Sequence, residues 1–365
     1  MSNTPAPRLR SIDVLRGADM FFLSGGASLL LLTAAALNGG VAPEWLAAQL
    51  RHADWGTGFT CWDLVMPLFL FICGASMPFS FAKYRREGAG WRTALRVARR
   101  VLLLFVLGMV VQGNLLGLAG AHRSLFCNTL QAIAEGYLIT AVVLSCCRVR
   151  GMLLSCAGLL LGYWFLLKPV PYAGQAAGLF LPEANIAHAI DCALQGSWQD
   201  GTPYTWIATA PAFGAITLMG ALGGCALQRL RGWRALLLLS LGGLGCAAAG
   251  WLLRGDTPII KHLFTSTMVL WAGGWCLLLL ALCHALFDLL PQLHRAAYPL
   301  IVIGSNALLA YVLSNFYLPT GQSLWEGVLA FLPLPEQALP AALIRYALFW
   351  LLLWLLYRRR LFLRV

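Results

Sequence analysis

The chain has 365 residues, 60% hydrophobic and 11% charged, with a net charge of +12. Soluble globular chains carry about 45–50% apolar and about 25% charged residues. This composition, with a mean hydropathy of +0.75, therefore excludes a water-soluble enzyme, a disordered chain and a nucleic-acid-binding domain. The expected class is an all-α, polytopic integral membrane bundle, in which excess Lys and Arg records orientation and not a nucleic-acid partner.

A bilayer span needs about 20 apolar residues. Apolar runs separated by Asn38-Gly39-Gly40, Pro169 with Pro171, Pro203, Pro258, Pro291 and Pro319 predict ten helices, at 11–37, 61–83, 98–119, 126–147, 151–167, 204–228, 233–253, 265–287, 298–318 and 339–357. Pro67 and Pro78 fall inside the second, which membrane helices tolerate where neighbours re-satisfy the freed carbonyls. The chain reads as one transmembrane domain, 11–357, between cytoplasmic tails at 1–10 and 358–365. With the amino terminus inside, nineteen Lys and Arg fall on inner segments and five on outer ones, a positive-inside bias that places both termini in the cytoplasm. The long outer segments, 38–60, 168–203 and 319–338, are where an external substrate would be met. Ten of the 11 cysteines lie in or against apolar runs and Cys192 in a polar loop; no C-x-x-C occurs, so a disulfide framework is not expected.

A charge inside a bilayer costs about 2.5–3.5 kcal/mol on insertion scales and needs a partner or a function. The first span holds Asp13, Arg16 and Asp19, which steps of three place on one side of a helix, so Arg16 can pair with either carboxylate. One reading is a structural ion pair. The other puts Arg10 and Arg16 at the inner mouth of a cavity, where arginine's planar fork suits a phosphate.

The second span opens His52-Ala53-Asp54-Trp55, then Thr60-Cys61-Trp62-Asp63. Thr60 or Cys61 can cap the helix, and Asp63 sits in its first turn, where the helix dipole favours a carboxylate. A histidine beside Asp and Trp at a membrane entrance is placed for general-base work near neutral pH. Weaker candidates are Glu135 in mid-helix, His262 beside Lys261 in an outer loop, and Asn306, which suits hydrogen-bonded helix contact. His122, His188, His284 and His294 show no carboxylate or second histidine at ligand spacing, so no metal is expected.

Several passages in order carry a resemblance: Arg8-Leu9-Arg10-Ser11-Ile12-Asp13-Val14-Leu15-Arg16-Gly17; His52-Ala53-Asp54-Trp55 with Asp63-Leu64-Val65-Met66-Pro67; Leu130-Gln131-Ala132-Ile133-Ala134; Thr209-Ala210-Pro211-Ala212; Pro258 to Thr267; and Gly304-Ser305-Asn306-Ala307. Together they resemble the heparan-alpha-glucosaminide N-acetyltransferase family, in particular its bacterial members. The resemblance implies a membrane enzyme taking acetyl-CoA from the cytoplasm and acetylating an amino sugar on the far side, with the family's catalytic histidine at His52. Two departures stand out. The family's assisting Asn in the first span is missing from Leu23-Ser24-Gly25-Gly26-Ala27-Ser28, and the Arg often found after Leu-Gln is Ala132, which leaves N- or O-acylation open.

The expectation is an acyl-CoA-dependent acyltransferase of a bacterial inner membrane, acting on a sugar hydroxyl or amine outside. His52 is the general base or a transient acyl carrier, oriented by Asp54 or Asp63. Arg10, Asp13 and Arg16 form the acyl-CoA site, and Trp55, Lys261 and Asn306 the acceptor contacts. Acyl-CoA, a sugar or glycan and the lipid bilayer are the expected partners, with a homodimer allowed. A transporter of a small polar solute and a non-catalytic membrane subunit are the competing classes, and neither needs an acetyl-CoA pocket.

Overall fold

The computed structural model describes residues 9–87, 90–117, 122–168 and 178–363. Most of the expected amino-terminal tail, with Arg8, lies outside the described residues, as do Pro169, Pro171, Arg364 and the end of the expected 98–119 span. The helices, in order, are α1 (Arg10–Phe21), α2 (Ala27–Leu37), α3 (Glu44–Gln49), α4 (Cys61–Glu87), α5 (Gly90–Val111), α6 (Thr129–Cys146), α7 (Val149–Leu167), α8 (Ile186–Gln195), α9 (Ala210–Arg229), α10 (Trp233–Leu252), α11 (Ser266–His284), α12 (Tyr298–Ser305), α13 (Ala307–Asn315), α14 (Leu324–Val328) and α15 (Ala338–Arg358). Among the described residues the sole β feature is an isolated bridge between Tyr317 and Ser323. This is an all-helical, polytopic membrane architecture.

Among the described residues, eight stretches are long and apolar enough to cross a bilayer: Arg10–Leu37, Cys61–Ala82, Thr129–Cys146, Val149–Leu167, Ala210–Arg229, Trp233–Gly255, Ser266–Leu289 and Ala338–Arg358. The pair α12–α13, bent by 74°, makes nine if it counts as one span. The remaining expected span maps onto α5, which joins α4 to α6 and packs along α6. Its first eleven residues carry Arg92, Arg96, Arg99 and Arg100, too many charges for an apolar span.

Other boundaries move for visible reasons. The expected 204–228 helix begins at Ala210, because residues 204–209 form a loop whose Ile207 and Ala208 amides donate to the carboxylate of Asp191. The segment holding Cys192 is helix α8 and not an extended polar loop. As expected, α4 runs unbroken through Pro67 and Pro78. The chain is interrupted at Phe22–Gly26, where Gly25 takes φ +110°, and at Asn306.

The core is organised by α9, 83% of whose apolar window is enclosed by other helices, with α4, α6, α7, α10 and α11 around it. A Cβ at Gly74 of α4 would lie 1.8 Å from the Thr217 carbonyl oxygen, and one at Gly220 of α9 1.9 Å from the Phe71 carbonyl oxygen. Glycine is thus what allows α4 and α9 to touch backbone to backbone. This contact fixes α4, whose first turn carries the candidate site. By contrast, α7, α10 and α15 have 17% of their apolar windows enclosed and turn leucines such as Leu154, Leu241 and Leu355 outward, as lipid-facing helices do.

Candidate active site

The site is built on the head of α4. Thr60 is the cap residue: the Asp63 amide donates to Thr60 Oγ1 at 3.4 Å, and the Thr60 amide donates to Asp63 Oδ2 at 3.1 Å. This is a reciprocal capping arrangement with Asp in the third position. Asp63 Oδ2 also accepts from the Ala53 amide at 3.2 Å and from Thr60 Oγ1 at 3.1 Å. The carboxylate, 2% exposed, is therefore held by three donors at a helix amino terminus. Its other oxygen, Oδ1, lies 2.8 Å from His52 Nδ1. An ionised carboxylate only accepts, so Nδ1 carries the hydrogen and the free lone pair of the ring is on Nε2. The imidazole is 42% exposed and opens outward.

Of the two carboxylates able to orient His52, the structure brings Asp63 to it. Asp54 is exposed, and its backbone carbonyl closes the turn to Thr57.

Lys261 comes to the same imidazole from the loop before α11. Its Nζ lies 3.1 Å from His52 Nδ1, 3.2 Å from Nε2 and 4.0 Å from Asp63 Oδ1. The loop is tied by Thr265, whose hydroxyl donates to the Pro258 carbonyl and accepts from the Ile260 amide. Phe264 takes φ +46°, a left-handed conformation costly for a bulky residue. It is held by ring contact with Phe213 at 4.9 Å and by Tyr163, whose hydroxyl donates to the Leu263 carbonyl at 2.6 Å. Burial pulls the Lys261 amine down to about 8, against the opposing pull of Asp63.

An aromatic wall stands beside the amine. His262 stacks on Trp55, 5.0 Å away, and meets the tilted ring of Tyr204 at 4.3 Å, with Trp206 beyond Tyr204. Burial, then the neighbouring Lys261 and His52, push His262 down to about 4, so it is neutral and does not compete as a base at neutral pH. Trp55 donates its indole N–H to the Phe180 carbonyl at 2.6 Å and stacks on His262; the aromatic ring nearest His52 is Trp62, at 6.3 Å. Tyr204 and Trp62 thus join His52, Lys261 and His262, which the sequence had singled out. Stacking across three loops leaves no spacing signal that would have revealed them.

Asn306 is elsewhere. It is buried at the α12–α13 break and clamps the carboxyl-terminal segment, donating to the Leu361 carbonyl and accepting from the Leu363 amide. Its expected acceptor contact is corrected accordingly.

Midway along α4, Arg16 donates to Ser76 Oγ at 2.8 Å and pairs with Asp13 at 3.1 Å. Arg100 of α5 lies over the Tyr137 ring at 4.4 Å and reaches Cys73 Sγ. Arg10 is exposed at the start of α1. Asp19 is buried, and its carboxylate oxygens make no hydrogen bond. His284 does have a carboxylate at helical spacing, contrary to the sequence reading. Its Nδ1 lies 2.9 Å from Asp288, which also accepts from the Ser11 amide and so ties the end of α11 to α1.

Comparisons with known proteins agree with the resemblance read from the residues. A family model described as a domain of unknown function (DUF5009) matches residues 8–144, a stretch containing Arg10, Asp13, Arg16, His52 and Asp63. Human heparan-alpha-glucosaminide N-acetyltransferase is 29% identical over 192 residues, covering 45% of this chain and 26% of the human protein. The match therefore spans about a quarter of that relative's length. Over those 192 residues the chain is similar to an N-acetyltransferase.

Proposed function

We propose that this protein is a membrane-embedded acyltransferase. In this reading it moves an acyl group, in the first instance acetyl, from cytoplasmic acyl-CoA to a hydroxyl or amine of a sugar on the outer side of a bacterial inner membrane. The observation that carries it is the His52–Asp63 pair. A buried carboxylate held by three donors fixes the imidazole with Nε2 free at an outward-opening site, which is the geometry a general base requires.

The inner cluster supports the donor half. Arg16, steadied by Asp13 and Ser76, and the exposed Arg10 are placed to meet anionic phosphates from the cytoplasm. Thirteen residues of α4 separate Asp63 from Ser76, about 20 Å at 1.5 Å per residue, a separation an extended phosphopantetheine arm spans. Lys261 borders the imidazole where the acceptor would sit, and Trp55 stands behind it on the His262 ring.

His52 tests the reading. In proteoliposomes supplied with labelled acetyl-CoA and a panel of sugars, His52→Ala and His52→Gln lose transfer while acetyl-CoA binding, measured separately, persists. Glutamine keeps volume and hydrogen bonding but takes no proton. Wild-type-like turnover in either variant would remove the general-base role. Absence of acetyl-CoA binding by the unmodified protein would favour the transporter or subunit classes.

A further inference from the structure

Resting on that acyl-transfer reading, we propose that Lys261 is a second catalytic group. Packed against the His52 ring in the resting site, it turns, once the acceptor is bound at Nε2, to the carbonyl oxygen of the acyl thioester and holds the negative charge that develops there.

The hydrogen-bond inventory of the imidazole comes first. Nζ is almost equidistant from the two ring nitrogens, at 3.1 and 3.2 Å. A point that close to both nitrogens lies over the ring, off the in-plane lone pair of Nε2, which points away from Nδ1. That lone pair therefore stays open to an acceptor hydroxyl or amine, and the ammonium is held within one side-chain rotation of the reacting atoms. An acceptor hydrogen-bonded to Nε2 lies about 2.6–3.2 Å from it, and the carbonyl under attack about 3–3.5 Å beyond.

The placement of Lys261 is costly to the fold. Its side chain is 9% exposed, although lysine is almost never buried without pairing. Asp63, the nearby counter-charge, is 4.0 Å away, too far for a hydrogen bond and already committed to His52 and three other donors. The turn that delivers Lys261 contains Phe264 at positive φ, whose amide donates to the Lys261 carbonyl at 3.0 Å. Strain of this kind persists where surrounding structure over-determines it, and it clusters at functional sites. Tyr163, Phe213 and Thr265 supply that support here.

The step balances. The acceptor O–H or N–H proton passes to His52 Nε2 as the acceptor's lone pair forms a bond to the thioester carbon. The C=O π pair moves onto oxygen, where the Lys261 ammonium meets it. As the carbonyl re-forms, the C–S bond breaks and the thiolate takes the proton from the imidazolium.

The charges facing Lys261 are His52 and Asp63 from the first outer loop and the head of α4, Tyr204 with its ring 5.6 Å away, and His262 in its own turn. Burial holds Tyr204 up at about 12 and His262 down at about 4, so neither is charged at neutral pH. Lys261 itself, near 8, loses its proton and its charge as the pH rises through that value, and transfer should fall with it.

The test uses the full chain in proteoliposomes, labelled acetyl-CoA, and glucosamine and glucose as probe acceptors, with kcat and KM followed from neutral to alkaline pH. Lys261→Met should lower kcat about 10²–10³-fold, the range for loss of one oxyanion donor, with little change in the KM for acetyl-CoA. Lys261→Arg, which keeps bulk and charge, should retain part of the rate and move the alkaline fall to higher pH. It also covers the case in which methionine unfolds the turn.

A second readout needs no turnover. Modification of His52 by diethyl pyrocarbonate, mapped by mass spectrometry, should speed up in Lys261→Met because the ammonium packed over the ring is gone. Unchanged kcat in Lys261→Met, an unmoved alkaline limb in Lys261→Arg, or unchanged His52 modification would each overturn the proposal. If His52 modification responds as stated but the unmodified protein acetylates neither probe, the acyl-transfer reading fails and the resting contact stands.

Discussion

At the scale of single residues, one carboxylate does two jobs. Asp63 closes the capping arrangement that starts α4 and fixes the tautomer of His52. The two roles separate in one substitution. Asparagine at 63 keeps the size and most of the capping bonds, but its amide N–H₂ can donate to Nδ1. That turns the hydrogen to Nε2 and removes the lone pair. Asp63→Asn should therefore lower transfer on the order of 10⁴-fold, as in the serine-protease triad where the same exchange sets the wrong tautomer, while thermal stability changes little. A drop in melting temperature matching the loss of activity would reduce Asp63 to a structural cap. The pairing was half legible. His52 and Asp63 stand close in the sequence at the mouth of an apolar run, so their encounter follows from the helix start. Asp54, nearer in sequence to His52, is the natural rival, and only the turn at Asp54–Thr57 separates the two. Lys261 reaches the same ring across 209 positions. Nothing in its surroundings announces that contact, because a left-handed Phe264 cannot be read from a residue type that normally avoids that conformation.

At the scale of elements, hydrophobic runs recovered the helices because each must satisfy its own backbone in lipid. Most of the long helices stand close to the expected boundaries, whereas α5 starts at Gly90 and α9 at Ala210, well away from the expected 98 and 204. What the runs did not carry was packing: which helix is central, where a span bends, and why α5 tolerates four arginines. Centrality resides in small residues. A Cβ at Gly220 would stand 1.9 Å from the Phe71 carbonyl oxygen, and one at Gly224 2.2 Å from that of Ala75, so α9 can approach α4 only through glycines. Gly220→Ala should destabilise the detergent-solubilised protein by about 1–3 kcal/mol, the usual cost of overpacking, and lower activity by displacing the head of α4. Gly158→Ala on α7 is the control: its Cβ meets nothing within 4 Å, and alanine gains about 0.5–1 kcal/mol of helix preference. Thermal unfolding followed by size-exclusion should separate the two variants. Equal melting temperatures would mean that the α4–α9 contact is looser than drawn here.

At the scale of the whole molecule, chemistry on two sides of a membrane requires one orientation of the bundle. Basic residues cluster at one end of the bundle and the His52–Lys261 site lies at the other, and the positive-inside rule assigns the basic end to the cytoplasm. Two cysteines report on this directly. Cys61, the first residue of α4, is exposed and two positions from Asp63; Cys146, the last residue of α6, is exposed beside Arg148 at the basic end. The sequence alone points to Cys192 as the outer reporter. In the structure that thiol is half-buried on α8, 3.4 Å from His188 Nε2, and burial pushes its pKa up, which slows thiolate chemistry. Single-cysteine variants retaining Cys61 or Cys146 should therefore give opposite patterns with a membrane-impermeant maleimide. Cys61 should be labelled in intact cells and protected in inverted vesicles, and Cys146 the reverse. Both cysteines labelled from one side would mean that α4 to α6 do not traverse the bilayer as drawn. The inverse pattern would put His52 in the cytoplasm together with the donor, and the requirement for an extracytoplasmic acceptor would go with it.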